Sequence, residues 1–243
     1  MNDVIRSLWE RKSVRAFTDE AITPEDTELI LRSACEAPTA GNQQMYSILN
    51  ITDPKLKKQL SVSCDNQPFI ATAPLVLIFC ADMVKWHDAF RYAGCEPRPL
   101  GASDLLLAVE DTLIAAQNAV TAAESLGIGS CYIGDILEQA ELHREMLHLP
   151  EQVVPAGMVV FGHPAPGQAE REKPPRHALE DIVMENTYVR RDETALRRMF
   201  GAKANGRDYD EWMRAFCARK FNSDFSREMV RSVAVYLREF WQE

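Results

Sequence analysis

Apolar residues recur at helical spacing in several stretches of the chain, with polar residues between them. Ser103–Leu126 is the longest such stretch, and it is apolar on most sides, as in a central helix or a helix in a subunit interface. Thr23 followed by Pro24 predicts the start of another helix, because Thr caps helix N-termini and Pro fits the first helical position. Ser226–Trp241 predicts a final helix with one broad apolar face.

Strand patterns are shorter and lie between the predicted helices. Met45–Ile51 alternates between apolar and polar residues, and Leu75–Ala81 is a continuous apolar run of strand length. Further strands are predicted within the glycine-spaced segment Gly127–Gly134 and at Ala156–Gly162. Residues 83–103 are mainly polar and predict a surface excursion. Four or five strands among many helices predict an α+β domain.

Charge and cysteine usage narrow the classes of function. The formal net charge is −9 over 243 residues. This acidity argues against nucleic-acid partners and anionic membrane surfaces, because both need a basic face, but it leaves room for a local basic pocket. No uninterrupted apolar run reaches the roughly 20 residues that span a bilayer, and a signal-peptide pattern is absent. The six cysteines form no C-x-x-C pair, so we expect reduced, mostly buried thiols in the cytoplasm.

The first group of candidate chemical residues is the cationic run Arg11-Lys12-Ser13-x-Arg15. Guanidinium groups can bind two phosphate oxygens at once, and a hydroxyl can fill a further position. The alternative is a solvated helix C-terminus, where cations interact favourably with the helix dipole.

A second group is the run Ala37–Gln44, which contains Pro38, Thr39 and Asn42. Its small residues would let the backbone approach a flat ring, and its amides can pair with the polar edge of a heterocycle. The alternative is a helix stop followed by a turn. Gln67, before an apolar segment, is a further polar candidate whose alternative is a surface residue or a helix cap.

Two later segments complete the candidates. Gly134, within Tyr132–Asp135, could expose backbone N–H groups to a ligand or simply form a turn. Lys173–Arg176 gives a loop a cationic end, and its alternative is an exposed basic turn.

Several common kinds of site are not expected. His143 and His148 are five residues apart and do not share a helix face, and no H-E-x-x-H or paired-cysteine pattern occurs, so we expect no metal site. The chain also lacks a G-x-S-x-G elbow and a P-loop. Cys131 has no identifiable His partner and is interpreted as a buried structural thiol.

In this order and spacing, the groups resemble the motifs of the nitroreductase family of flavin enzymes. The matching segments are Arg11–Arg15 for R-R-S-x-R, Ala37–Gln44 for A-P-S-A-G-N-x-Q, Gln67 with Ala73-Pro74 for Q-x-x-I-x-x-A-P, Gly127–Gly134 for G-x-G-S-x-x-I-G, and Lys173–Asp181 for K-P-R-x-P-L-E-E. The resemblance covers about residues 1–190, and the remaining C-terminal extension is typical of a subset of the family.

The resemblance implies a nitroreductase-like α+β fold and a homodimer. Its central sheet would be mixed but mostly antiparallel, with four to five strands flanked by helices. Residues 1–190 would form the FMN-binding domain, and residues 191–243 would form a helical extension packed on the same domain or on the partner subunit.

The resemblance also implies a non-covalent FMN bound between two subunits. The cofactor-binding residues that it implies are Arg11, Lys12, Ser13, Arg15, Pro38, Thr39, Asn42, Gln67, Ile133, Gly134, Lys173 and Arg176.

Their implied roles differ along the cofactor. Arg11, Ser13, Arg15 and Arg176 would hold the phosphate and the ribityl chain, and Gln67 would face the pyrimidine edge. Ile133 and Gly134 would lie beside the reactive face, with the Gly134 backbone near the flavin N5. Pro38, Thr39 and Asn42 would come from the other subunit.

No side chain is expected to act as an acid, a base or a nucleophile, because the cofactor carries the chemistry. NADH or NADPH would donate hydride, and a nitroaromatic, quinone or related small electrophile would accept it in a ping-pong mechanism. Three alternatives remain open: a specialised flavin, ene or dehalogenating reductase of the same fold, a non-catalytic flavin-binding protein, and a helical interaction module.

Overall fold

Four short apolar stretches pair into a single antiparallel sheet. The structure is a computed structural model, and it describes residues 1–168 and 170–241. The strands are β1 (Tyr46–Asn50), β2 (Leu75–Asp82), β3 (Gly129–Ile133) and β4 (Val153–Gly162). Their order across the sheet is β1-β2-β4-β3, and each neighbouring pair is antiparallel. The expected α+β fold, with its mainly antiparallel sheet, is confirmed.

Helices occupy most of the remaining chain. They are α1 (Asp3–Glu10), α2 (Pro24–Cys35), α3 (Pro54–Ser63), α4 (Pro68–Thr72), α5 (Val84–Tyr92), α6 (Ala102–Ser125), α7 (Ala140–Leu147), α8 (Leu179–Ile182), α9 (Glu193–Ala204), α10 (Tyr209–Lys220) and α11 (Asp224–Arg238). The predicted start of α2 is confirmed, because the Thr23 hydroxyl accepts a hydrogen bond from the Asp26 N–H at 3.0 Å.

The chain forms two compact units. Unit 1 consists of Met1–Arg171 and Glu228–Glu243, and unit 2 consists of Glu172–Arg227. α11 begins in unit 2, but its later part belongs to unit 1, where Tyr236 is only 1% exposed. The predicted division into a cofactor domain over residues 1–190 and an extension over 191–243 stays a prediction.

Helix α6 packs against one face of the sheet because its inward side is made of small residues. Ala115, Ala119 and Ala123 are fully buried in the same core cluster as Phe79 of β2 and Phe161 of β4. Their small side chains allow the helix backbone to come close to the large aromatic rings.

The outward side of α6 is also apolar, as its sequence pattern indicates. Leu106, Leu107, Leu113 and Ile114 are each at least 41% exposed. By length and composition alone this helix could cross a membrane, but the core helix of a soluble protein passes the same test. These exposed aliphatic side chains form an apolar surface on the outward side of α6.

The opposite face of the sheet packs against α3, α4 and a short 3-10 turn, Gly134–Leu137. Its core includes Leu60, Ile70, Ile133 and Ile136, each at most 2% exposed. This face brings the end of α3 and the turn after β3 into contact.

After α1 the chain runs extended along the free edge of β3, where Ser13 pairs with Ser130 in parallel. Two facing glycines, Gly129 on β3 and Gly162 on β4, make room for this segment. A Cβ atom on Gly162 would lie 2.7 Å from ring atoms of Phe17, which is too close for any real contact.

The prediction of a surface excursion for residues 83–103 misses helix α5. Trp86 anchors this helix, because its indole N–H donates a hydrogen bond of 2.7 Å to the Gln43 carbonyl. Only Val84 and Trp86 of this helix are packed against the core, which is too few positions to produce a helical apolar pattern in the sequence.

The expectation of mostly buried cysteines is half right. Cys64, Cys80 and Cys131 are buried, whereas Cys35, Cys95 and Cys217 are exposed, and all six are free thiols. Burial raises the pKa of the Cys64 and Cys80 thiols to about 12.

Unit 2 contains α8, α9 and α10. Arg197 of α9 binds Asp210 of α10 at 2.9 Å and lies over the Tyr209 ring, 4.8 Å from its centroid. The apolar side chains that this unit leaves exposed near its start are Leu179, Ile182, Val183, Tyr188 and Val189.

Candidate functional site

Three of the predicted phosphate-binding residues lie together at the start of β3. Arg11 follows the last turn of α1, and its Nη2 donates to the Ser130 hydroxyl at 3.5 Å. Its Nε atom is buried and has no hydrogen-bond partner within residues 1–168 and 170–241. Because an unpaired buried donor on a cation is costly, this atom indicates a missing anionic ligand.

The pKa of the Cys131 thiol depends on Arg11, Ser13 and Arg15. Burial raises its pKa, while the charge of Arg15, a hydrogen bond with Ser13 and the charge of Arg11 each lower that pKa. Two cations and a hydroxyl are therefore near enough to Cys131 of β3 to lower its pKa, and this combination of groups suits a phosphate.

Lys12 lies elsewhere, although it belongs to the same sequence motif. Its Nζ atom donates to the Arg171 carbonyl oxygen at 2.6 Å. It also lines a separate cavity of about 240 Å³ with Val14 and Gly129. Successive residues of an extended segment point to opposite sides, so Ser13 and its neighbour Lys12 diverge. The structure does not bring Lys12 together with Arg11, Ser13 and Arg15, and its part in cofactor binding stays a prediction.

The turn at the other end of β3 contacts α3, the helix that leads to Gln67. The Gln67 side chain donates a hydrogen bond of 2.9 Å to the Cys64 carbonyl, and its own amide carbonyl accepts none within the described residues. Gly134 begins the turn that follows Ile133, and nothing lies within 4 Å of the position where a Cβ would be. An amide with spare capacity and an open glycine backbone suit the polar edge and face of a flat ring.

Glu138 closes this turn as a buried carboxyl. It is 6% exposed, and one of its carboxylate oxygens has no hydrogen-bond partner in the described part of the chain. Burial raises its pKa to about 7, and the like charges of Asp135, Asp65 and Glu228 add to the effect. This carboxyl therefore keeps its proton to a higher pH than an ordinary glutamate does.

The loop that contains Thr39 and Asn42 is held by a buried acid of α6, Asp111, which is 3% exposed. Its carboxylate accepts hydrogen bonds from the Thr39 hydroxyl, from the Ala40 N–H at 3.1 Å and from the Met45 N–H at 3.2 Å. Asn42 is exposed and adopts a left-handed backbone with φ 57°, which Asn tolerates better than most residues.

Sequence reasoning missed the role of Asp111. The available signal was an acid within the apolar pattern of Ser103–Leu126, whose buried charge requires partners. No hydrogen bond or ion pair joins the loop around Thr39 to Arg11 or Gln67 within the described residues of one protomer. Pro38, which precedes the loop, is exposed.

Lys173 and Arg176 belong to unit 2. Arg176 is exposed there and lines a cavity of about 400 Å³ together with Arg198 and Lys203. Asp181 lies in the same cavity and binds Arg198 at 2.6 Å. A common site of Lys173 and Arg176 with the Arg11 group stays a prediction.

The groups along β3 suit a ligand with an anionic end and a flat polar end. A strand rises about 3.3 Å per residue, so the three steps from Cys131 to Gly134 span roughly 10 Å. Arg11, Ser13 and Arg15 would bind the anion, and Gln67 and Gly134 would bind the ring. Among the described residues, no group of three or more His, Cys, Asp or Glu side chains could hold a metal ion.

Comparison with known proteins identifies the family of the chain. The sequence model of the Nitroreductase family matches residues 8–163. The oxygen-insensitive NADPH nitroreductase of Salmonella typhimurium is 37% identical over 199 residues, which is 82% of this chain and 80% of that protein. The FMN reductase (NADPH) of Bacillus subtilis is 34% identical over 190 residues, which is 77% of this chain and 75% of that protein.

Solved structures show the same fold over the whole length of the chain. The structure of NfrA2 from B. megaterium superposes with a TM-score of 0.84 and 29% identity, and it covers 100% of both chains.

Proposed function

The chain belongs to the nitroreductase family, and we propose that it is an FMN-dependent oxidoreductase that uses NAD(P)H as its electron donor. The observation that carries this proposal is the buried Arg11 Nε without a partner, beside Ser13 and Arg15. A phosphate group would accept hydrogen bonds from Arg11 and Ser13 and would lie between two positive charges. Relatives named for FMN reduction and NADPH-dependent nitroreduction support the same conclusion.

The residues along β3 bind the two ends of FMN. Arg11, Ser13 and Arg15 bind the phosphate, and the sequence resemblance assigns Arg176 and Lys173 to the same phosphate. Gln67 uses its free carbonyl to pair with the pyrimidine edge.

Ile133 and Gly134 form the surface beside the reactive face. Gly134 leaves that face open because it has no side chain. Lys12 supports the site by holding the chain at Arg171, through its 2.6 Å hydrogen bond to that carbonyl.

The loop of Pro38, Thr39 and Asn42 completes the site of the partner subunit. This assignment is supported by the lack of a hydrogen bond between the loop and the Arg11 or Gln67 group within the described residues of one chain. Asp111 on α6 fixes the backbone of this loop through its hydrogen bonds, so the loop would contact the partner's site as a rigid element.

When bound, FMN supplies the chemistry, which is the acceptance of hydride from NAD(P)H and its delivery to an electrophile such as a nitroaromatic or a quinone. The chain positions the ring and excludes water, and no side chain needs to act as a nucleophile, an acid or a base. If the flavin face beside Gly134 serves the nicotinamide and the acceptor in turn, the kinetics would be ping-pong.

Exposed apolar faces support a homodimer. On α1, Val4, Leu8 and Trp9 are each at least 48% exposed, although the helix has a well-defined apolar side. α1 contacts α6, whose outward leucines are exposed as well. Large contiguous apolar surfaces are typical of permanent interfaces, and symmetric dimers are the commonest assembly. Six free thiols support a reducing compartment, which we propose is the cytoplasm.

The direct test is FMN binding by Arg11→Ala, with Arg6→Ala as the control. Arg6 lies on α1, the helix that Arg11 follows, and its ion pair with Asp3 is on the surface. Loss of the Arg11 contact should weaken FMN binding by about 1.5–3 kcal/mol, the usual contribution of a hydrogen bond to a charged group. Fluorescence quenching of FMN measures the affinity. Wild-type protein that binds no FMN would refute the proposed function, and equal affinities of the two variants would refute the phosphate assignment.

A second candidate is a reductase for free flavin, which the relative named FMN reductase (NADPH) favours. Both candidates share the site and the cofactor and differ in the acceptor. NADPH and NADH oxidation by the FMN-bound protein should therefore be compared with nitroaromatics, quinones and added FMN as acceptors. Ene and dehalogenating substrates belong in the same panel.

A further inference from the structure

His143 of α7 is a buried imidazole between the two segments that carry Gln67 and Gly134. It is 0% exposed. Its Nδ1 atom lies 3.0 Å from the Ile136 carbonyl oxygen, within the turn that Gly134 begins. Its Nε2 atom lies 2.8 Å from the Ser63 hydroxyl, at the end of the helix that leads to Gln67.

The partners of His143 determine which nitrogen carries the proton. The Ile136 carbonyl can only accept, so Nδ1 carries the hydrogen and donates it. In the neutral ring, Nε2 then accepts a hydrogen bond from the Ser63 hydroxyl. Burial lowers the pKa of His143, which favours this neutral form. The ring therefore makes one directional bond to each segment, and the Cys64 thiol also lies 4.0 Å from Nε2.

Other contacts keep both segments and His143 in place. Next to Ser63, the Cys64 carbonyl accepts the side-chain hydrogen bond from Gln67 at 2.9 Å. In a second hydrogen bond of this kind, the Gln139 side chain donates to the Ser63 carbonyl at 2.8 Å. The N-terminus of α7 is capped from the distant helix α11, because the Ala140 N–H donates to the Ser232 hydroxyl at 3.0 Å. His143 is thus mounted on a fixed helix.

We propose that His143 is a positioning residue of the flavin site, which fixes the separation between Gln67 and the Gly134 turn. The proposal rests on the proposed function, since it concerns how the two ring-binding elements are held. A flat, rigid ligand that contacts both elements is bound well only when their spacing matches it, so a small displacement weakens binding. His143 touches neither substrate nor cofactor in this role.

The sharpest test is Ser63→Ala in the FMN-bound protein. This change removes the hydroxyl that meets Nε2 and nothing larger. Ser61→Ala is the matched control, because Ser61 lies on the same helix, is 2% exposed, and bonds through its hydroxyl to Lys58 of that helix at 2.8 Å. His143→Leu removes both bonds, whereas His143→Asn keeps a donor for Ile136.

Two readouts apply to each variant, the dissociation constant of FMN and the midpoint potential of the bound flavin. We expect Ser63→Ala to raise the dissociation constant by about tenfold, the effect of one lost hydrogen bond. The midpoint potential should move towards that of free FMN. Ser61→Ala should leave both readouts at the wild-type values, and His143→Asn should lose less than His143→Leu.

The outcomes are distinguishable. If Ser63→Ala matches Ser61→Ala in affinity and in potential while wild-type protein binds FMN, the positioning role is refuted and the proposed function stands. If the wild-type protein itself binds no FMN, both proposals fail. If His143→Leu does not fold, the comparison of Ser63→Ala with Ser61→Ala decides the question alone.

Discussion

Replacing Asp111 by Asn tests how the loop around Thr39 is organised. In the wild-type protein the carboxylate accepts three hydrogen bonds, two from backbone N–H groups and one from the Thr39 hydroxyl. An Asn amide has one acceptor oxygen and one donor nitrogen. One orientation sets its NH₂ group against the Met45 N–H, and the flipped orientation sets it against the Ala40 N–H. Either way, one backbone donor loses its acceptor.

The expected cost follows from this geometry. A hydrogen bond to a charged acceptor contributes about 1.5–3 kcal/mol, and a buried donor left without a partner costs a similar amount. We therefore expect Asp111→Asn to lower the free energy of unfolding by about 2–4 kcal/mol. Domains of this kind have about 5–15 kcal/mol of stability, so the variant should still fold.

Two measurements check this prediction, with Glu110→Gln as the control. Glu110 is the neighbouring acid on α6, and it is exposed. Urea unfolding gives the change in stability, and hydrogen exchange of the Ala40 and Met45 amides reports the loop directly. Both amides should exchange faster in Asp111→Asn. A stability within about 0.5 kcal/mol of the control would refute the argument, because surface substitutions commonly fall within that range.

Two further changes have effects with a predictable sign. Glu138→Gln should raise the free energy of unfolding at pH 8 by about 1–3 kcal/mol and have almost no effect near pH 5. The reason is that the pKa of the wild-type carboxyl is raised in the folded state to about 7, so the stability that the carboxyl contributes is lost as pH rises through that value. Urea unfolding at the two pH values measures the effect, and equal effects at both would contradict the prediction. Gly162→Ala should destabilise the protein by about 1–3 kcal/mol through overpacking. Gly157→Ala on the same strand, where the nearest contact of the new Cβ would be 3.8 Å, should lower the melting temperature far less. Equal melting temperatures of the two variants would show that the N-terminal segment can move aside.

The strands were predictable from the sequence because they are apolar over most of their length. β2 was predicted as Leu75–Ala81 and extends one residue further, to Asp82, whose carboxylate accepts a 2.6 Å hydrogen bond from the Ser47 hydroxyl. β4 begins three residues before the predicted start at Ala156 and includes Pro155. Proline lacks an N–H group and argues against a central strand, but here it sits at the bulge between β2 and β4.

The motifs of the candidate site were predictable from the sequence, but the spatial arrangement of their side chains was not. Arg11, Ser13 and Arg15 all lower the pKa of Cys131, which is consistent with a phosphate-binding interpretation of their run. Lys12 is indistinguishable from them in the sequence, and only the path of the extended chain beside β3 sends it to another cavity. A motif specifies residue types, whereas the side of the strand depends on pairing partners more than 100 residues away.

The partners of Asp111 and His143 could not be predicted from the sequence for a related reason. Asp111 and His143 are both buried polar residues on helices, and the partners of Asp111 and the Ser63 partner of His143 lie more than 60 residues away along the chain. Their burial nevertheless constrains their roles, because the large majority of buried polar groups are hydrogen-bonded. Asp111 accepts hydrogen bonds from the loop of Thr39, and His143 forms hydrogen bonds with the two segments beside the open glycine Gly134. The polar residues buried beneath this site therefore bind the elements that carry it, so their substitution should alter ligand binding as well as stability.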